Sequence, residues 1–191
     1  MTKIRLEFEK LTIHRPKERW KLYFVIVAEH PTEADKMVIT TLPTSDIIRL
    51  RPSQGNVLHF EPKGESTDGF FVLERDMPAD RRMSVRVYLR HTRKSVRDTG
   101  EMLGEIQKEL GSDAVGVVTD VLGLTGAPWL VVSKYALGAI GKILRKVKDK
   151  DFGFVSMDEE FGDEFETQTE LDRENTFSSG EATIVRSWSA E

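Results

Sequence analysis

The sequence predicts a mainly β protein: an antiparallel β-sandwich of about eight strands with an inserted α-helical hairpin. Two observations carry this. Short apolar segments, several with period-2 alternation, recur along residues 1–98 and 151–191, bracketed by Pro, Gly, Asn and Asp. Between them, residues 99–150 form a glycine-rich insertion of two helix-length stretches, joined at Gly123-Leu-Thr-Gly-Ala-Pro128.

The strands follow in order. Ile4, Leu6 and Phe8 alternate, and Leu11 and Ile13 continue after a one-residue shift, which predicts a strand with a bulge. Pro16 to Arg19 is a turn. Trp20 to Ala28 is an unbroken apolar run with β-branched and aromatic residues, the mark of a central strand. His30-Pro31 ends it. Lys36 to Leu42 is a further strand, closed by Pro43. Ile47 to Leu50, Val57 to Phe60, Gly69 to Leu73 and Met83 to Leu89 are shorter candidates, separated by turn sequences such as Pro52-Ser-Gln-Gly-Asn56. Beyond the insertion come Phe152 to Met157, Phe165 to Leu171 and Ala182 to Trp188.

In the insertion, Asp98 followed by Glu101 predicts a capped helix start near Thr99. Leu103, Ile106, Leu110, Ala114, Val117 and Val121 then recur at steps of three and four, an amphipathic pattern. Pro128 suits the first position of a second helix. There Val132, Ala136, Ala139, Ile143 and Val147 share one face, and Lys134, Gly138, Gly141, Arg145 and Lys148 share another. The basic end from Lys142 to Lys150 complements a helix C-terminus. Each helix would reach about 20 residues, roughly 30 Å, the length of a membrane span. Asp113, Asp120, Lys134 and Lys142 oppose that use, each costing roughly 2.5–3.5 kcal/mol at a bilayer centre. The longest uncharged run, Val121 to Ser133, has thirteen residues, too few to span.

Composition narrows the function classes. The 191 residues carry a net charge of −4, which gives no global case for nucleic-acid binding. There is no cysteine, so disulfides, thiolate nucleophiles and Cys-ligated metals are excluded. The charged, alternating start from Met1 to Glu9 has no apolar core of the signal-peptide kind, so a cytoplasmic protein is expected, or one exported without such a signal. Ala136 to Ile143 has the outline of a phosphate loop but lacks its first Gly and its Ser or Thr. His14, His30, His59 and His91 have no metal-type spacing, and no Gly-x-Ser-x-Gly motif supports hydrolysis. No catalytic residue, cofactor or metal is expected.

Two charge clusters stand out. Arg81 to Arg97 holds seven basic residues and no acidic one; Asp158 to Glu174 holds nine acidic residues and one basic one. They either neutralise each other across neighbouring strands or simply solvate a face, unless the basic one is a binding patch. The basic cluster offers Arg90, Arg93, Lys94 and Arg97, with Trp129 at the hairpin, as candidate surface-binding residues. Asp158, Glu159, Glu160 and Asp163 are a candidate calcium set without EF-hand spacing.

Met83-Ser-Val-Arg-Val-Tyr-Leu89 resembles the strand leading into the third ligand loop of synaptotagmin-type calcium- and lipid-binding sandwich domains, and Met102-Leu-Gly-Glu-Ile106 is similar to the segment that follows there. About 25 residues are covered. Arg90, His91, Thr92 and Arg93 stand where the family places aspartates, so the resemblance implies a sandwich without calcium ligands. The function expected is non-catalytic: a binding or accessory module presenting its basic loop and helical hairpin to a protein partner or an anionic membrane surface, with self-association open. The alternative is a membrane-active, pore-forming or toxin-like effector with a concealed hairpin.

Overall fold

The computed structural model describes residues 2–15, 19–44, 46–50, 55–60, 71–93, 98–118, 127–146, 149–163, 165 and 170–190. Its elements are β1 (Lys3–Ile13), β2 (Trp20–Glu29), β3 (Lys36–Leu42), β4 (Ile48–Leu50), β5 (Val57–His59), β6 (Phe71–Asp76), β7 (Arg82–Met83), β8 (Val85–His91), α1 (Thr99–Leu110), β9 (Ala114–Val118), β10 (Trp129–Ser133), α2 (Leu137–Lys146), β11 (Lys150–Ser156), β12 (Glu159–Glu160), β13 (Glu170–Thr176) and β14 (Ala182–Ala190).

These form three layers. The first sheet has the order β13-β14-β1, with β5 and β6 both paired to the free side of β1. The second has the order β11-β8-β2-β3-β10-β9, with β4 beside the start of β2. All their ladders are antiparallel. The two sheets close on a core that includes Leu6, Phe8, Phe24, Ile26, Leu89, Trp129 and Trp188. Phe8 meets Phe24 edge-on with ring centroids 4.9 Å apart. The third layer is α1 and α2, which cover the other face of the second sheet. A separate core forms there, in which Tyr23, Val25, Val27, Ile39 and Val132 meet Met102, Leu103, Ile106, Ile140 and Leu144. β2 lies inside both cores, which is why its sequence is apolar without alternation.

The sandwich, the central strand and the bulge follow the sequence pattern. The register of β1 against β14 shifts between Phe8 and Lys10, where the apolar alternation changes phase. The helix start also matches: Asp98 accepts the Glu101 amide at 3.2 Å, and α1 begins at Thr99. The buried Thr99 hydroxyl donates to the Thr44 carbonyl at 2.6 Å, tying that start to the end of β3.

Within residues 99–150 the structure corrects the expected boundaries. The two helices are 12 and 10 residues long. Residues 114–118 and 129–133, expected to continue them, are instead an antiparallel pair that extends the second sheet from β3. Val115, Val117 and Val118, then Val131 and Val132, are β-branched and favour the extended chain. Pairing Leu130 with Ile39 and Val131 with Val38 outweighs a helical spacing that residues this few can match by coincidence. The strand expected over 165–171 also moves: β13 starts at Glu170. With the short strands included, the described residues hold fourteen strands rather than about eight. No helix among them is long and apolar enough to cross a membrane.

The second core makes a direct prediction. Ile106 is fully buried between α1 and the sheet. Ile106→Ala should cost about 2–5 kcal/mol, read as a lower denaturant midpoint with an unchanged slope.

Candidate functional site

The five candidate surface residues do not form one patch. Arg90 is fully buried on β8, facing the helical layer. Its Nη2 donates to the carbonyl of Leu144, in the last turn of α2, at 2.6 Å and to that of Asp149 at 3.0 Å. Its Nη1 lies 3.4 Å from the Asp151 carboxylate. Arg90 therefore ties down the C-terminal end of α2, where helix carbonyls lack partners in the helix itself. It is no surface residue. Nearby, the Tyr23 hydroxyl donates to Asp149 at 2.8 Å, fixing the chain that leaves α2. Trp129 is also fully buried, in the sandwich core at the start of β10. Large apolar surface is what a core selects, and the position of Trp129 after Pro128 hid that. Arg93 is exposed just after β8. Lys94 and Arg97 lie outside the described residues.

Among the described residues one ion pair joins the two charge clusters, and arginines outside the basic one take up more of the acidic one. β7 pairs with β12, placing Arg82 against Glu160, with an ion pair of 3.1 Å. Ser84 hydrogen-bonds Asp158. Arg186, buried on β14, holds Glu159 at 3.2 Å, and Arg173 approaches the same carboxylate at 3.6 Å. Burial lowers the pKa of Arg186, and Glu159 counters that shift. Asp158, Glu159 and Glu160, with Glu29 and Asp80, line a cleft of about 500 Å³. Glu159 and Glu160 of the candidate calcium set thus serve arginines, which opposes their use as cation ligands.

The carboxylates of Glu9, Glu170 and Asp172 gather on the first sheet, each with an oxygen within 4.8 Å of the others. Glu9 sits at the β1 bulge. Burial raises its pKa, and Asp172 and then Glu170 add to the shift, against a hydrogen bond from Ser187. No sequence spacing announced this group, because its members come from β1 and β13, which meet only through β14.

A different surface collects positive charge. α2 buries Ile140, Ile143 and Leu144 and turns Gly138, Lys142, Arg145 and Lys146 to solvent, continuing from exposed Lys134 and Tyr135 just before it. Tyr135 is 93% exposed. This stripe contains no acidic residue. Among the described residues its one ion pair is Lys146 with Glu109 of α1 at 2.7 Å, and Lys146 holds the Glu109 carboxyl below its usual range. Beside α2, Tyr88 packs on Phe154 at 5.7 Å; Phe154 is 40% exposed and carries the Arg86 guanidinium 5.0 Å above its ring. The stripe was visible in sequence as the Lys134, Gly138 and Arg145 face. The Arg86–Phe154 pair was not, since it needs the β8–β11 ladder. No family model matches the chain, and no curated protein matches it.

Two predictions follow from the local electrostatics. Arg90→Ala should cost about 3 kcal/mol, because it strips the α2 terminus and Asp149 of charged donors inside the fold. Arg90→Lys should recover only part of this, since an ammonium lacks the planar fork; both are read by chemical denaturation. Glu9 has a folded-state pKa raised above its unfolded value, so its contribution is present at low pH and lost as pH rises through the folded pKa. Glu9→Gln should therefore stabilise the fold near neutral pH, with the gain vanishing in acid, where the carboxyl is already neutral.

Proposed function

We propose that the chain is a non-catalytic binding module that docks through the cationic stripe of α2 onto an acidic surface of a protein partner. The supporting observation is the division of labour on that helix. Its apolar side is spent on the second sheet, while Lys134, Lys142, Arg145 and Lys146 face outward with no acidic residue among them. A fold needs only the first of these features. Four cations along one short segment repel one another and weaken the isolated helix, so they favour a surface that meets opposite charge. Exposed Tyr135 and Phe154 border the stripe and supply apolar contact of the kind that anchors interfaces.

The helices that would present this surface bury their apolar sides against the second sheet, which supports a fixed platform over a released arm. α1 and α2, at 12 and 10 residues, fall short of the roughly 20 needed to span a bilayer.

The test is retention on immobilised polyglutamate at low ionic strength. The wild-type chain should bind and elute with salt, and K142E/R145E should lose retention while keeping its thermal midpoint, since both side chains are exposed. Equal retention of the two proteins would sink the proposal. Binding to phosphatidylserine vesicles but not to polyglutamate would replace the protein partner with an anionic bilayer.

A further inference from the structure

The three layers end in two faces of opposite charge. One is the α2 stripe on the helical layer, where Lys134, Lys142 and Arg145 form no ion pair among the described residues. The other is the outward face of the first sheet. In the β13–β14 ladder Leu171 lies opposite Trp188, and both belong to the sandwich core. Glu170, Asp172 and Glu174 therefore point outward, and all three are exposed. Glu9, at the β1 bulge, joins Glu170 and Asp172 on that face.

These four carboxylates form no ion pair among the described residues either. Lys3 and Arg5 of β1 are held by Glu74 of β6 at 3.1 and 2.7 Å, and Arg173 turns to Glu159, which leaves Lys10 of β1 against the four. The missing counter-charge shows at Glu9, whose carboxyl is held above its usual range by burial and then by Asp172 and Glu170. Each face repels itself, a cost that a surface of the other sign would remove. The rows are comparable in length. Glu170 to Glu174 span about 13 Å of extended chain, and Lys134 to Arg145 about 17 Å of helix. Beside the β13 row, β14 presents Val185, Ser187 and Ser189, none of them bulky enough to keep a helix away. Within one chain the two faces cannot meet, because both sheets lie between them. Between two copies they can.

We propose that copies of this chain associate head to tail, with the basic α2 stripe of one seated on the acidic outer face of the first sheet of the next. This rests on the reading of the α2 stripe as a docking surface for acidic groups, and it identifies those groups as Glu9, Glu170, Asp172 and Glu174 of a second copy. The two contacting surfaces differ, so each contact leaves a free face at either end that can take a further copy.

Analytical ultracentrifugation at low salt, with EDTA present so that no metal bridges the carboxylates, should show an average mass that climbs with concentration. It should start at the 21.8 kDa of one chain and pass twice that value by about 0.5 mM. About 0.5 M salt should return it toward the single chain. K134Q/K142Q/R145Q and E170Q/D172N/E174Q each neutralise one face. Each should associate at least about tenfold more weakly without losing thermal stability, since all six side chains are exposed. An equimolar mixture of the two should form a complex of two chains and stop there. The intact stripe of one variant meets the intact sheet face of the other, and the neutralised faces end the series. The proposal is overturned if the wild type keeps the single-chain mass throughout, if either variant associates as well as the wild type, or if the mixture forms no complex. The two readings fail separately. A monomeric wild type whose polyglutamate binding is lost in K142E/R145E removes the self-association and leaves the docking surface. Failure of E170Q/D172N/E174Q, whose α2 stripe is untouched, to bind polyglutamate removes the docking surface itself.

Discussion

The structure depends on a strand that is apolar on both faces. β2 runs from Trp20 to Glu29, and the residues Leu22 to Ala28 are all buried. A strand of this kind cannot sit in a sheet with one face in water. Alternate residues would each expose a large apolar side chain, and each would forfeit roughly 1.5–3 kcal/mol of burial. The second sheet therefore needs a cover on each side. β1, β14 and their neighbours supply one, and α1 and α2 supply the other. The helices are in this sense the lid of the central strand, and their apolar faces are committed to it.

That commitment explains the fate of Arg90. It stands on β8 opposite Tyr23, on the face covered by the helical layer, so any side chain there is enclosed. An enclosed guanidinium requires acceptors, and the carbonyls of Leu144 and Asp149 with the Asp151 carboxylate provide them. The residue that looked like part of a basic surface loop is a fastener between sheet and helix. Arg186 shows the same logic on the inner side of the first sheet, where Glu159 and the Asn175 side chain receive its guanidinium. Basic residues that cluster in sequence from Arg81 to Arg97 thus meet different surroundings: Arg82 pairs with Glu160 on β12, Arg86 lies over the Phe154 ring, and Arg90 is enclosed beneath the end of α2.

The exposed charge is divided unevenly between the two helices. α1 exposes three glutamates and Lys108, while the charged residues that α2 exposes, Lys142, Arg145 and Lys146, are all basic. This polarity cannot be read from net charge, which averages it away. It arises because the chain places a helix at each end of the β9–β10 pair, and the pair returns the chain to the same face of the sheet.

The sequence by itself determined the class of fold, the central strand, the β1 bulge and the start of α1 at Thr99. Each is encoded locally, in alternation, in an unbroken apolar run, in a phase shift or in a cap. The face of α2 carrying Lys134, Gly138 and Arg145 was legible for the same reason, since helical periodicity needs only a few residues. Tertiary structure decided that residues 114–118 and 129–133 are strands: their β-branched residues permit it, and pairing along the edge of β3 selects it over their helical spacing. It also decided that Arg90 and Trp129 are interior, that Glu9 joins Glu170 and Asp172, and that the charge of Glu159 and Glu160 is spent on arginines. These facts depend on which strands become neighbours, and pairing between residues distant in the chain leaves no local trace in the sequence.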